Sequence, residues 1–256
     1  MSAARSPITA LGEAVRFLTV LRWPGSPSSD PARLAQAAAA FPAAGLLVGA
    51  VSVGAGMAAE RLFGSPFAAV AAVAASAVVT GGLHLDGLAD SCDALFSWRS
   101  REQKLEILRD SRIGTMGALA LFFALAVKVA ALTALGPLWW RAALIAPMWG
   151  RWSVVYGMAR FPPARPDGLG ASARAHLRAS DFVWTTGLAL LVGFGLLPPW
   201  GGLLGLVVLA AAWLMGRAMA QSLGGLTGDT YGALAEVAEG TTFLTLVALR
   251  HWAWIA

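Results

Sequence analysis

The sequence predicts an all-α fold, a polytopic bundle of about seven transmembrane helices preceded by an amphipathic helix. Of its 256 residues, 57% are hydrophobic and only 13% are charged, and the mean hydropathy is +0.66. This composition is not that of a soluble globular domain. The net charge of +5 does not indicate a nucleic-acid partner, because the basic residues lie mostly in loops between apolar stretches. We expect residues 1–256 to form one domain embedded in the lipid bilayer.

The N-terminal segment has the pattern of an interfacial helix. Over residues 5–22, Ile8, Leu11 and Val15 recur at helical spacing against Glu13 and Arg16, which predicts an amphipathic helix in the membrane interface. Seven apolar stretches follow, and we expect each of them to cross the membrane: 34–59, 66–82, 115–135, 138–159, 182–197, 202–222 and 241–256.

Charge predicts the orientation of these spans. If the N-terminus is placed on one side, the loops 83–114, 160–181 and 223–240 fall on the same side. That side collects thirteen of the 19 Lys and Arg residues, and the opposite side has only Arg61, Arg141 and Arg250. By the positive-inside rule the charged side is cytoplasmic. We therefore expect a multi-pass protein of the cytoplasmic (inner) membrane whose three long loops form an active site facing the cytoplasm.

The first candidate site lies directly after the second span. Asp86, Asp90 and Asp93 have spacings that put three carboxylates on one helix face. Two carboxylates about 5 Å apart repel by roughly 3 kcal/mol at an effective dielectric constant of 20, so such a cluster favours a compensating cation. Oxygen-only ligands favour Mg²⁺ or Mn²⁺ over zinc, and the single Cys92 excludes a multi-cysteine metal site. The alternative is a solvated helix face or a helix cap.

A second acidic group lies in the predicted loop 223–240. Asp229, Glu236 and Glu239 again have helical spacing, and we expect Asp229 and Glu236 to be metal ligands. Thr227 and Gly228 stand in the turn before Asp229, where a helix N-terminus is a natural place for phosphate, and we expect them to contact substrate. The alternative is a flexible loop that Asp229 caps.

Arginines supply the matching positive charge. Arg151 lies inside a span, where an arginine normally faces a cavity or an anion, and Arg112 precedes the third span. Guanidinium groups suit bidentate phosphate binding. We expect Arg112 to be catalytic and Arg151, Arg160 and Arg165 to bind substrate, although Arg160 also fits the ordinary positive-inside pattern. His84, two residues before Asp86, is a candidate general base, metal ligand or plain hydrogen-bonding residue.

Acidic clusters and arginines on one membrane face favour metal-assisted chemistry on a phosphorylated substrate. Three strings also resemble the cobalamin synthase family: G-G-L-H-L-D-G-L-A-D-S-C-D-A-L-F-S from Gly81, R-D-S-R-I-G-T-M-G from Arg109 and G-G-L-T-G-D-T-Y-G-A-L-A-E from Gly224. The resemblance extends to F-L-T at Phe17 and to A-R-P-D-G-L-G at Ala164, so it covers nearly the whole chain.

The resemblance implies an Mg²⁺-dependent membrane enzyme, adenosylcobinamide-GDP ribazoletransferase. Its substrates would be adenosylcobinamide-GDP and α-ribazole or the 5′-phosphate of α-ribazole. A ribose hydroxyl would attack the phosphorus on the cobinamide arm and release GMP, which closes the nucleotide loop of adenosylcobalamin. The sequence leaves open the number of Mg²⁺ ions, the general base, the oligomeric state and any docking of other cobalamin-pathway enzymes.

Two other classes of membrane protein share some of these features. A CDP-alcohol phosphotransferase is also a metal-dependent membrane transferase, but its D-G-x-x-A-R pattern is only echoed from Asp86 to Asp90, where the arginine is missing. A cation-coupled transporter would place its acids near the bilayer midplane on interrupted helices in related repeats. Here the acids cluster at one boundary and no repeat is visible.

Overall fold

The structure is a computed structural model that describes residues 7–25, 31–165 and 169–255. Over these ranges the regular secondary structure is helical, which confirms the predicted all-α class. The α-helices, in chain order, are α1 (Pro7–Leu18), α2 (Pro31–Ala38), α3 (Phe41–Phe63), α4 (Ser65–Val79), α5 (Leu83–Leu95), α6 (Arg101–Ile107), α7 (Thr115–Ala134), α8 (Trp139–Arg160), α9 (Leu169–His176), α10 (Ala179–Leu196), α11 (Gly201–Leu223) and α12 (Gly228–His251).

Several of these helices are long and apolar enough to cross a membrane, but the predicted number of seven is not confirmed. Within the described residues, five qualify singly, namely α3, α7, α10, α11 and α12, and a sixth span is counted if α4 and α5 are taken together. Helix α4 has only 15 residues. Helix α8 has 22 residues but carries three arginines and four tryptophans, which lower its mean hydropathy.

The bundle is built around α8 and α12. Helix α8 packs on α3 and α12, and α12 also packs on α5, α7 and α11. Most of α8 is buried, from Ala142 to Met158, as is the stretch of α12 from Thr230 to Glu236. Both helices are therefore surrounded by protein, which allows them to carry polar side chains that lipid would not tolerate.

The predicted N-terminal helix exists as α1, which is shorter than residues 5–22. Its Ala14, Val15 and Leu18 are buried, and Ile8 is exposed. Arg16 pairs with Glu13 at 2.8 Å and donates hydrogen bonds to the carbonyls of Trp23 and Pro24. The chain after α1 is thus folded back on the helix. The first two residues of the predicted range lie outside the described residues.

A sharp turn separates α4 from α5. Gly81 and Gly82 adopt left-handed backbone angles, with φ of +59° and +72°, which favour glycine because other residues pay a steric cost there. The axes of α4 and α5 differ by 87°. The predicted second span therefore ends at Val79, and α5 runs across the end of the bundle with its three aspartates.

The predicted loop 223–240 is mostly helix. Helix α12 begins at Gly228, where the Thr227 side chain accepts a hydrogen bond from the Thr230 N–H. Only residues 224–227 form a loop. The helical spacing of Asp229, Glu236 and Glu239 is thus explained by α12 itself, and the sequence placed the start of this helix at 241 because its first half contains three carboxylates.

The remaining parts of the three predicted loops meet at one end of the bundle. The Leu226 N–H donates to the Pro162 carbonyl at 2.8 Å, and Arg101 donates to the Leu223 carbonyl at 2.8 Å. The chain after α1 joins the same end through the Val20 N–H, which donates to the Val79 carbonyl. Residues 166–168 of the 160–181 segment lie outside the described residues.

Candidate active site

The site is created by a close crossing of α5 over α12. A Cβ atom placed on Gly87 would lie 2.5 Å from the Asp229 carbonyl oxygen, and one placed on Gly232 would lie 3.3 Å from the His84 Cα. Real Cβ atoms do not approach backbone as closely as 2.5 Å, so the two backbones touch only because residue 87 is glycine. This contact brings the aspartates of α5 next to Asp229.

Three carboxylates are gathered at this crossing. Asp86 is exposed, and Asp90 and Asp229 are half-buried. The Asp90 carboxylate is repelled by the charges of Asp86, Asp229 and Asp93, and Thr227 donates a hydrogen bond to Asp229 at 3.3 Å. The structure therefore brings Asp229 of the second acidic group next to Asp86 and Asp90 of the first, although Asp86 and Asp229 are 143 residues apart in the sequence.

An open cleft of about 660 Å³ lies against these carboxylates. Asp86 and Asp90 form part of its wall. Most of the other lining residues come from the end of α1 and the residues after it, the α4–α5 turn and the segment before α7, and they include Phe17, Val20, Thr80, Gly82, Ser111 and Ile113. The cleft is large enough for a phosphate-bearing part of a substrate, and one of its walls is apolar.

Asp93 has hydrogen bonds of its own. Its two carboxylate oxygens accept hydrogen bonds from the Gly114 N–H at 2.7 Å and the Gly117 N–H at 2.9 Å. These N–H groups belong to the first turn of α7, which has no other cap. Asp93 thus caps α7 from a neighbouring helix, and this contact fixes the segment that carries Ser111 and Arg112 beside the cleft.

Arg112 is held at the exposed rim. Its guanidinium group pairs with Asp110, with Nη2 donating to Oδ2 at 2.6 Å, and its side chain is 86% exposed. This hydrogen bond lowers the pKa of Asp110 to about 2. Arg112 is therefore paired with a charged carboxylate near the cleft and remains accessible to an anion.

The other predicted substrate residues occupy different positions. Arg165 donates to the Leu105 carbonyl and is close enough to Asp229 to attract it, and burial lowers its pKa. Arg160 is exposed and lies over the Phe161 ring. Gly228 is exposed at the first turn of α12, and a Cβ placed there would meet nothing within 4 Å.

Three predicted residues belong instead to a buried ionic network. Lys128 of α7 lies 2.7 Å from a carboxylate oxygen of Glu236 and 2.7 Å from one of Glu239. Arg151 of α8 pairs with the other oxygen of Glu239, and its Nη2 lies 3.2 Å from the His84 Nδ1. Because a guanidinium group can only donate, His84 Nδ1 accepts. His84 is 4% exposed and Arg151 is 1% exposed.

Lys128 and Glu239 belong to this network, and the sequence analysis did not select them as site residues. Both were visible as charges within or beside predicted spans, where unpaired ions are expensive. The two carboxylates and two cations balance, so the network is neutral when His84 is neutral. Glu236 lies beside Lys128, on the opposite side of the α5–α12 contact from Asp90.

Comparisons with known proteins find related sequences over most of the chain, and these point to one family. A sequence model of the cobalamin-5-phosphate synthase family matches residues 10–248. The chain is similar to adenosylcobinamide-GDP ribazoletransferases: it is 48% identical over 248 residues to that of Roseiflexus sp. (strain RS-1), covering 94% of this chain and 90% of the relative. The corresponding protein of Herpetosiphon aurantiacus is 49% identical over 242 residues, covering 94% and 97% of the two chains.

A more distant relative shows the same name. The adenosylcobinamide-GDP ribazoletransferase of Escherichia coli O17:K52:H18 is 41% identical over 212 residues, covering 81% of this chain and 85% of the relative. No solved structure matches the chain. The family match includes α5 and all but the last three residues of α12, the helices that bring the carboxylates together. The chain belongs to the cobalamin-5-phosphate synthase family.

Proposed function

We propose that this enzyme joins adenosylcobinamide-GDP to α-ribazole, or to α-ribazole 5′-phosphate, with Mg²⁺ bound at the α5–α12 crossing. The relatives named above are adenosylcobinamide-GDP ribazoletransferases. The observation that supports the site is the Gly87–Gly232 contact, because it places Asp86 and Asp90 beside Asp229 at an open cleft. Arg112 and Arg165 supply nearby positive charge.

The donor set of the crossing fits Mg²⁺. Asp86, Asp90 and Asp229 provide only oxygen ligands and repel one another when charged. Among the residues described, no three His, Cys, Asp or Glu side chains are grouped tightly enough to hold a metal ion by themselves. Mg²⁺ commonly uses one or two carboxylates and takes its other ligands from water and substrate phosphate. We therefore assign the metal to these three aspartates and leave Asp93 and Glu236 with the partners described above.

The reaction exchanges one P–O bond for another. A ribose hydroxyl oxygen bonds to the phosphorus that carries the cobinamide arm, the bond from that phosphorus to the GMP oxygen breaks, and GMP takes the electron pair. The hydroxyl proton passes to a carboxylate of the crossing, because His84 Nδ1 already accepts from Arg151. When bound, Mg²⁺ supplies positive charge to the phosphate oxygens. Arg112 binds the leaving GMP phosphate, and Arg165 holds Asp229 in place.

The location of the site follows from the same geometry. The predicted topology assigns thirteen basic residues to the side of the three loops that form the crossing, and by the positive-inside rule that side would be cytoplasmic. We propose that the enzyme is in the cytoplasmic membrane with the cleft open to the cytoplasm, where a nucleotide-activated corrinoid would be available. Docking of other cobalamin-pathway enzymes on this face would shorten the path of the substrate.

The test is GMP release by the purified protein. Adenosylcobinamide-GDP is supplied with α-ribazole in one series and with α-ribazole 5′-phosphate in another, over a range of Mg²⁺ concentrations. We expect GMP to appear only with a ribazole acceptor and to disappear with excess chelator. A purified protein that hydrolyses or ignores adenosylcobinamide-GDP, or one that works equally well without divalent ions, would contradict the proposal.

A further inference from the structure

The buried ionic network joins four helices of the bundle, including α5 and α12, which carry the carboxylates of the site. His84 comes from α5, Lys128 from α7, Arg151 from α8, and Glu236 and Glu239 from α12. The side chains of the four charged residues are between 1% and 8% exposed. A Cβ placed on Gly150 of α8 would lie 2.9 Å from the Glu239 Cγ. Helix α8 therefore leaves just enough room for this glutamate beside Arg151.

The network lies on one side of the α5–α12 contact and the carboxylates lie on the other. Gly87 faces Asp229 and His84 faces Gly232, so the two helices run antiparallel where they touch. From Gly87 toward Asp90, α5 runs toward the N-terminus of α12, where Asp229 lies. From Gly87 toward His84, α5 runs toward Glu236 and Glu239 of α12. The glycine contact is thus the point about which α5 can pivot on α12.

A contact between glycines does not fix the angle of such a crossing. At Gly87 and Gly232 themselves no side chains interlock, so the angle depends on the side chains that α5 buries on either side of this point, which include His84, Leu88 and Cys92. A rotation of α5 about Gly87 would separate Asp90 from Asp229. The link from His84 to Arg151 and then to Glu239 opposes this rotation at the start of α5, because Arg151 and Glu239 are held by α8 and α12 themselves. The hydrogen bonds of Asp93 with α7 hold the other end of α5.

The cost of burying these ions also favours a positioning role. Buried ion pairs contribute little net stability, since the desolvation of the ions offsets their attraction. Replacing them with apolar residues is often neutral or stabilising. The best-attested use of such groups is to fix a register between packed helices. The network contains three such pairs and a histidine, and it lies at the crossing whose register decides the separation of the carboxylates.

We propose that His84, Arg151 and Glu239 are positioning residues, which set the angle of α5 on α12 and thereby the separation of Asp90 from Asp229. Lys128 is the internal counter-ion that keeps Glu236 and Glu239 charged without a metal ion. The inference rests on the proposed function in one respect, which is that the carboxylates so positioned are the metal ligands.

The test uses two substitutions at His84. His84→Leu removes the acceptor for Arg151 without leaving a new buried charge, since His84 is neutral beside a guanidinium group. His84→Gln keeps an oxygen that can accept the same hydrogen bond but cannot act as a base. His251→Leu, an exposed histidine at the last turn of α12, is the matched control. Arg151→Lys repeats the test from the other partner, because it keeps the charge beside Glu239 and removes the nitrogen that reaches His84.

Two measurements on the full-length protein report the crossing without catalysis. Spin labels at Phe96→Cys and Leu244→Cys, both exposed, give the distance between the end of α5 and the outer face of α12 in a Cys92→Ala background. Binding of Mn²⁺ alone, in the absence of either substrate, gives the affinity of the carboxylate cluster.

We expect His84→Leu and Arg151→Lys to broaden or shift the distance distribution and to weaken Mn²⁺ binding at least fivefold, while His84→Gln and His251→Leu stay close to the parent in both. Parent-like distances and Mn²⁺ affinity in folded His84→Leu would overturn the proposal. So would a His84→Gln protein that binds Mn²⁺ normally but releases no GMP, since that result would make His84 a proton acceptor. The distances require neither metal nor substrate, so they are independent of whether the parent shows Mg²⁺-dependent GMP release.

Discussion

Asp90 lies where Asp229 of α12 approaches the aspartates of α5. It lies between Asp86 and Asp93 on α5 and is repelled by Asp229 of α12. Asn has nearly the same size and keeps one acceptor oxygen but lacks the charge. If Asp90 binds catalytic Mg²⁺, Asp90→Asn removes charge stabilisation worth several kcal/mol, or roughly a hundredfold in turnover. A solvated aspartate would cost no more than about 0.5 kcal/mol of stability.

The measurement is cobalamin formation at saturating Mg²⁺, set beside the melting temperature of each variant. Glu102→Gln is the control, because Glu102 is 72% exposed on α6 and does not line the cleft. We expect the control to keep parent activity. An Asp90→Asn enzyme with turnover within threefold of the parent would remove Asp90 from the metal site.

For Asp93 we expect the opposite of Asp90: a substitution that lowers stability but leaves turnover almost unchanged. Both of its oxygens accept N–H groups of α7, and an asparagine can accept only one of them. Asp93→Asn should therefore cost about 1 kcal/mol of stability and leave the turnover of the folded protein within about threefold of the parent. A hundredfold loss of turnover with an unchanged melting temperature would return Asp93 to the set of metal ligands that the spacing of the three aspartates predicts.

Helices α7 and α12 are joined by Lys128. The substitution Lys128→Met leaves Glu236 and Glu239 with Arg151 as their only described cation, and an uncompensated buried charge costs about 3–5 kcal/mol. The pair Lys128→Met with Glu236→Gln removes one charge of each sign, so we expect it to recover most of that loss. Thermal unfolding in detergent compares the single and double variants. Equal melting temperatures for the two would show that Lys128 is not the counter-ion of Glu236.

The elements show what a sequence pattern can and cannot supply. Apolar runs located α7, α8, α10 and α11 to within three residues at each end, because apolar length is written directly in the sequence. The predicted first span, 34–59, was wrong at its start, since it begins inside α2 and α3 starts at Phe41. The start of α12 was missed since Asp229, Glu236 and Glu239 made the first half of this helix look like a polar loop. Its polarity is balanced by Lys128 and Arg151, which are far away in the chain.

The same limitation applies to the site. Spacing predicted that Asp86, Asp90 and Asp93 share a helix face, but not that Asp93 turns to the N-terminus of α7. It also selected Arg151 and His84 as residues for substrate chemistry, whereas the structure buries them together. The contact of Gly87 with Gly232 carries no recognisable motif of charge or hydropathy. Helix pairing has to be known before these residues can be assigned.

The whole molecule has two distinct ends, and they can be told apart by labelling. The only native thiol, Cys92, is 8% exposed and buried in α5, so it reports poorly on orientation. We expect Trp98→Cys, in a Cys92→Ala background, to react with an impermeant maleimide in inverted vesicles and not in intact cells, because Trp98 is fully exposed at the site end. Trp252→Cys, exposed at the other end, should show the reverse. Reaction of both from the same side would refute the proposed topology.

The turn at Gly81 and Gly82 has a consequence for the surrounding bilayer. Helix α4 stops after 15 residues, which is about 22 Å of helix, against a hydrocarbon core of about 30 Å. If α4 crosses the bilayer and faces lipid, the bilayer beside it has to thin to match it, at a cost of fractions of a kcal/mol for each ångström. The cleft would then open where the bilayer is locally thin, and longer acyl chains should raise that cost. Turnover in nanodiscs should fall as acyl chains lengthen, and a flat response would show that α4 is shielded from lipid.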